Sequence, residues 1–161
     1  MKPVPVTDYP DKPGSGKLNN KIALITGGDS GIGKAVAILF AKEGAHIAIS
    51  YLNETGDARD TAKIIQQHYG RNCLLVKGDL SNEKHCSTVI NKTIRQFGRI
   101  DILVNNAAIH FENKDLRDIS TSGLRKTFDT NIISFFWITK AAMPYLKKGS
   151  CIINSSSVTA Y

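Results

Sequence analysis

Three glycines stand close together in "TGGDSGIGKAVAILF", at Gly27, Gly31 and Gly33, between an apolar run and a helix-like stretch. Glycine in a strand-to-helix turn permits a positive φ and lets backbone come close to a bulky anion. The N–H groups opening the next helix then face that anion, helped by the helix dipole. This is the chemistry of a pyrophosphate cradle, and Asp29, Ser30 and Ile32 share the turn. At its far end the chain reads "CIINSSSVTAY", a serine cluster with Tyr161 four residues after Ser157. A hydroxyl pair of this kind raises the question of proton transfer. A tyrosine ordinarily ionises near pH ~10 and needs a cation beside it to work as a base near neutrality. Tyr161 is the last residue, so no lysine follows one helical turn later, and Tyr9, Tyr51, Tyr69 and Tyr145 start no YxxxK helix after the last apolar run. The ending therefore holds a serine and lacks a tyrosine–lysine pair.

The elements that must position these residues alternate regularly. "KIALITGG", "HIAISY", "NCLLVKGD", "IDILVNNA" and "SCIINSSS" read as short strands, apolar on both faces. Between them lie helical patterns over 31–43, 55–69, 82–97 and a long one over 119–146, the first three closed by Gly44, Gly70 and Gly98. Strand and helix in alternation predict an α/β fold, a Rossmann-type doubly wound parallel sheet. The sheet is expected to be truncated after the fifth strand. Four of five prolines fall within residues 1–13, so residues 1–19 are expected to form a Pro-rich arm and 20–161 a single dinucleotide-binding domain, incomplete at its C-terminus.

Composition narrows the function classes. The 161 residues carry 42% hydrophobic and 22% charged residues, ordinary for a globular chain. No apolar run reaches a membrane span, and the N-terminus lacks the apolar core of a signal peptide, so a cytoplasmic protein with no membrane partner is expected. The +7 net charge is spread along the chain without a run of five like charges, so no nucleic-acid partner is expected. Cys73, Cys86 and Cys151 form no CxxC pair and the four histidines no ligand spacing, so no metal site is expected.

The spacing TGxxxGxG resembles that of the short-chain dehydrogenase/reductase family. Further motifs agree in order: "GDL" at 78–80, "NNAA" at 105–108, "TNIIS" in the long helix and "IINSSS" at the fifth strand. Ala108 stands where the family usually has glycine. The arm before "KIALITGGDSGIG" is similar to that of a bacterial general-stress and aldehyde-reductase-like branch. The resemblance implies hydride transfer between NAD(P) and an alcohol, aldehyde or ketone. It implies that Asp79 and Leu80 meet adenine, that Asn105 bridges strands and cofactor with Ala107 nearby, that Asn131 supports a proton relay and that Ser157 polarises the carbonyl. It also implies a homo-oligomer, dimer or tetramer, for a complete chain, formed through the helix carrying Phe135, Phe136 and Trp137. By residue type alone Asp79 reads first as a helix-start acid, and Asn105 and Asn106 can be ordinary strand-end turn residues. A non-catalytic dinucleotide-binding module is the alternative function.

NAD sites carry an acid at the end of the second strand, on the ribose 2′-OH. Tyr51 occupies that place, which leans toward NADP(H), while Glu54 and Arg59 lie slightly further along and favour opposite choices. The cofactor reading is NADP or NAD.

Overall fold

A computed structural model describes residues 11–157; Tyr161 and the first ten residues of the arm lie outside the described residues. Five parallel strands form one sheet: β1 (Ile22–Thr26), β2 (His46–Tyr51), β3 (Cys73–Lys77), β4 (Ile102–Asn105) and β5 (Cys151–Asn154). Their spatial order is β3-β2-β1-β4-β5. Ile22 pairs with His46 on one side of β1, and Ala23 pairs with Ile102 on the other. Strand order therefore reverses direction between β1 and β4, and the crevice at their C-terminal ends is where such sheets bind ligands.

Alternation along each strand divides the apolar side chains between two cores. Ala23, Ile25, Ile47 and Ile49 face α1 (Gly31–Lys42) and α2 (Thr55–Tyr69), meeting Ala37, Ile38, Ala41 and Ile65. Leu24, Ala48, Val76 and Leu103 face the other way, toward Cys86, Val89 and Ile90 of α3 (Glu83–Phe97) and Ile138 and Ala142 further on. Helices α2 and α3 end on Gly70 and Gly98, both left-handed caps. Asn82 caps α3, its side-chain oxygen accepting the Lys84 N–H at 2.9 Å. Strand β5 pairs with β4 through Ile102↔Cys151, and all four of its residues are exposed. Among the described residues no helix is long and apolar enough to cross a membrane.

Part of the proline-rich stretch is bonded to the body of the fold. The Glu43 carboxylate accepts from the Ser15 hydroxyl at 2.8 Å and from the Ser15 and Lys17 amides at 3.0 and 3.2 Å. Leu18 packs beside the α1–α2 core.

The expected single helix over 119–146 is not continuous. It comprises α4 (Thr121–Phe128), a wide π turn (Asp129–Ile133) and α5 (Ser134–Ala142), preceded and followed by 3₁₀ turns. Ser120 caps α4 by accepting the Gly123 N–H at 3.1 Å. Helix α5 stops at Ala142, and Pro144, with no N–H to donate, lies within the closing 3₁₀ turn Met143–Tyr145. The π turn carries Asn131, whose side chain is drawn out to the loop after β4.

Candidate active site

The turn after β1 is organised by Thr26. Its Oγ1 accepts the Asn106 and Ala107 N–H groups at 2.9 and 3.0 Å and donates to the Val104 carbonyl at 3.3 Å. Asn106 answers with its own amide, donating to the Thr26 and Gly27 carbonyls at 3.1 and 3.3 Å. The ends of β1 and β4 are thus stitched into one rim. On the β5 side the Ser155 hydroxyl lies 3.2 Å from Asn106 Oδ1.

The three glycines of this turn do different work. Gly27 and Gly31 have φ of +63° and +52°. A Cβ at Gly31 meets no protein atom within 4 Å, so it would project into open space. Gly33 is a packing glycine: a Cβ there would lie 1.9 Å from the Gly27 carbonyl oxygen and 2.6 Å from Asn106 Nδ2. Like Gly31, it lines neither of the two cavities described below, and the missing Cβ is what permits the close approach of α1 to the turn. Ser30 precedes α1 in extended conformation without a side-chain capping bond, and the first turn of α1 carries no acidic residue. The opening N–H groups of the helix are thereby left to an anion.

Above the turn lies a cavity of about 510 Å³. Gly27, Asp29, Ser30, Ile32, Tyr51, Asp79, Leu80 and Ala107 all line it, although they come from four separate stretches of chain. Ser50, Lys126 and Thr130 line it too, and residue types alone did not single them out. Ser50 Oγ and Thr130 Oγ1 are buried without a hydrogen-bond partner among the described residues. Buried hydroxyls of this kind ask for a partner. Together with the open cradle at Gly31, they fit a polar, phosphate-bearing ligand.

Asp79 forms an ion pair with Lys126 of α4, and Lys126 Nζ also donates to Ser81 Oγ at 2.6 Å. Burial pushes the Asp79 carboxyl up, but the bonds from Lys126 and Ser81 outweigh it and hold the group below the usual carboxylate range. Asp29 is shifted the other way, raised chiefly by burial and further by the nearby Glu54 and Asp57 carboxylates. The only trace of Lys126 in the sequence is a lysine near the start of a long helical pattern, with nothing to point it toward "GDL".

Two expected site residues have their side-chain amides committed to the protein frame. Asn105 is buried and lines neither cavity; its Nδ2 donates to Asn154 Oδ1 at 2.9 Å and to Thr139 Oγ1 at 3.2 Å. It bridges β4 to β5 and α5, while Asn106 beside it faces the cavity. Asn131 commits both ends of its amide to Ile109, accepting the N–H and donating to the carbonyl, each at 2.8 Å. The π turn and the loop after β4 are held together by that pair.

A second cavity, of about 1170 Å³, adjoins the first across Ile32, Asn106 and Ala108. Asn131, Ser155, Ser156 and Ser157 line it with the apolar Ile132, Phe135, Phe136 and Met143. A polar rim of hydroxyls thus faces an apolar wall, next to the first cavity.

The comparisons with known proteins agree with this geometry. The chain is 52% identical over all 161 residues to the uncharacterized oxidoreductase YhdF of Bacillus subtilis and 48% identical to that organism's general stress protein 39. It covers 55% and 56% of their lengths, so it spans about half of these curated relatives. A short chain dehydrogenase from Burkholderia cenocepacia, solved in complex with NADP, superposes with a TM-score of 0.85 at 31% identity, covering 88% of this chain and 57% of that one. Residues 21–161 match the short chain dehydrogenase family, and to that family this chain belongs.

Proposed function

We propose that the protein is an NAD(P)-dependent oxidoreductase that moves hydride between a nicotinamide and the carbon of a small alcohol, aldehyde or ketone. The observation that carries this reading is the cleft at the strand-order reversal, walled by the glycine turn, the ends of β2 and β3 and the Ala107 loop. Family membership supports it, as does NADP in the Burkholderia relative. In this reading the turn at Gly27–Gly31 and the start of α1 hold the pyrophosphate. Asp79 and Leu80 take the adenine, and Tyr51 and Ser50 flank its ribose. Ala107 and Thr130 border the path toward the second cavity. The bound nicotinamide supplies or accepts the hydride.

Substrate then occupies the second cavity, with Ser157 donating a hydrogen bond to the carbonyl oxygen. Asn131 contributes by positioning, since its amide ties the π turn to Ile109. Association into a dimer or tetramer uses the exposed face of α4 and α5, where Phe128 and Phe136 are 52% and 73% exposed.

The test has two parts. NADH and NADPH are titrated into the 161-residue chain by quenching of protein fluorescence; saturable binding of at least one is expected, and binding of neither refutes the reading. Loss of NAD(P)H absorbance is then followed with small aldehydes and ketones, on this chain and on a longer version that carries a tyrosine–lysine pair. Binding without turnover by either protein establishes a non-catalytic module instead. Turnover is expected only where a tyrosine–lysine pair accompanies Ser157, because losing a general acid costs about 10²–10⁴-fold.

A further inference from the structure

The wall of the first cavity at the end of β2 is anionic. Asp29 reaches it from the glycine turn and Glu54 from the start of α2. Asp29 is 6% exposed, and its backbone carbonyl is fixed by the Thr61 hydroxyl at 3.1 Å. Glu54 is held locally, its Oε2 accepting the Asn53 N–H at 3.1 Å. The two carboxylates feel each other, since Glu54 raises the Asp29 pKa after burial has done so. Among the described residues lining the cavity, Lys126 is the one cation, and it is bonded to Asp79 and Ser81. A ribose 2′-hydroxyl can donate to a carboxylate on this wall. A 2′-phosphate would bring about two negative charges into a part-buried anionic corner with no unpaired cation lining it.

We propose that this site takes NAD(H) in preference to NADP(H), and that Asp29 and Glu54 set the preference. The inference rests on the dinucleotide reading above and specifies which dinucleotide. It reverses the lean drawn from Tyr51. The acid that discriminates sits in the glycine turn, and the fold carries it to the place where the end of β2 has no carboxylate of its own.

The experiment is a paired titration of NADH and NADPH into the 161-residue chain, then into Asp29→Asn, Glu54→Gln and the double variant. The expected result is NADH binding at least about tenfold tighter than NADPH, and a ratio at least about threefold smaller in the double variant. A merely structural role would weaken both dinucleotides together and leave the ratio unmoved, which overturns the proposal. Equal or tighter binding of NADPH by the unaltered chain also overturns it, while leaving the dinucleotide site intact. Binding of neither refutes the dinucleotide reading itself. Glu54 is exposed, so Glu54→Gln keeps the comparison available if Asp29→Asn does not fold.

Discussion

Replacing Gly33 by alanine separates packing from binding in the glycine turn. The added Cβ would sit 1.9 Å from the Gly27 oxygen, 2.7 Å from its carbonyl carbon and 2.6 Å from Asn106 Nδ2. Two of those atoms are backbone, so no side-chain rotation relieves the collision. Helix α1 must lift by more than an ångström or the turn must give way. Overpacking of this kind costs about 1–3 kcal/mol. The Asn106 bonds to Thr26 and Gly27 are disturbed with it, at about 1 kcal/mol each. Loss of glycine's freedom in the unfolded chain offsets about 0.4–1 kcal/mol. The net cost is about 3 kcal/mol, a fall in Tm of roughly 6–12 °C for a chain of this size. Gly31→Ala is the control. It meets open space but holds φ at +52°, so it pays about 1–2 kcal/mol of left-handed strain, and part of that is offset. In the proposed reading its larger effect falls on dinucleotide affinity, because the turn at Gly27–Gly31 is the one that holds the pyrophosphate. Thermal unfolding by circular dichroism at fixed pH, run beside a dinucleotide titration, reads both quantities. A Gly33→Ala protein that melts within about 2 °C of the unaltered chain would refute the packing argument.

Lys126→Met should weaken binding of ADP-ribose severalfold while changing stability by less than about 1 kcal/mol, since both partners of the Asp79 pair are more than one-third exposed; an unchanged affinity in calorimetry would remove Lys126 from the adenine side. Because the Asp79 carboxyl lies below its unfolded value, the stabilisation from the pair is present above pH ~4 and fades as pH falls through the lower, folded-state value; acid titration of the carbon-13 shift of the Asp79 carboxyl checks the direction. Asn131→Ala removes two bonds of 2.8 Å and should cost about 1–3 kcal/mol, with faster amide exchange at Ile109; unaltered protection there would show that the loop is held by something else. Burial pushes the Cys73 and Cys86 thiols up to about 12, whereas Cys151 is exposed on β5, so mass spectrometry after brief iodoacetamide treatment at neutral pH should find Cys151 modified first.

The alternation of short apolar runs with helical patterns was enough to read the sheet, because burial on both faces leaves a signature in every strand, and Gly70 and Gly98 mark helix ends by a conformation few other residues adopt. The glycine turn was legible for the same reason, being a local demand on backbone. The long helix was misread because its apolar stripe runs almost unbroken across the π turn; at that turn Asn131 bonds to Ile109, a contact between residues 22 positions apart that periodicity does not record. Gly31 and Gly33 look alike in a string of letters, and only the nearness of α1 to the Gly27 carbonyl makes Gly33 a spacer while Gly31 faces open space. The pair at 105 and 106 shows the same limit. Side chains alternate across a strand, so which asparagine turns inward depends on the register of β4 against β1 and β5. The charges of the cleft lie furthest from the sequence. Lys126 meets Asp79 across 47 residues, and Asp29 and Glu54 share a cavity wall only because parallel strands β1 and β2 end side by side. Local periodicity and backbone conformation are written residue by residue. Electrostatics belongs to distances in space, and those exist only once the chain has folded.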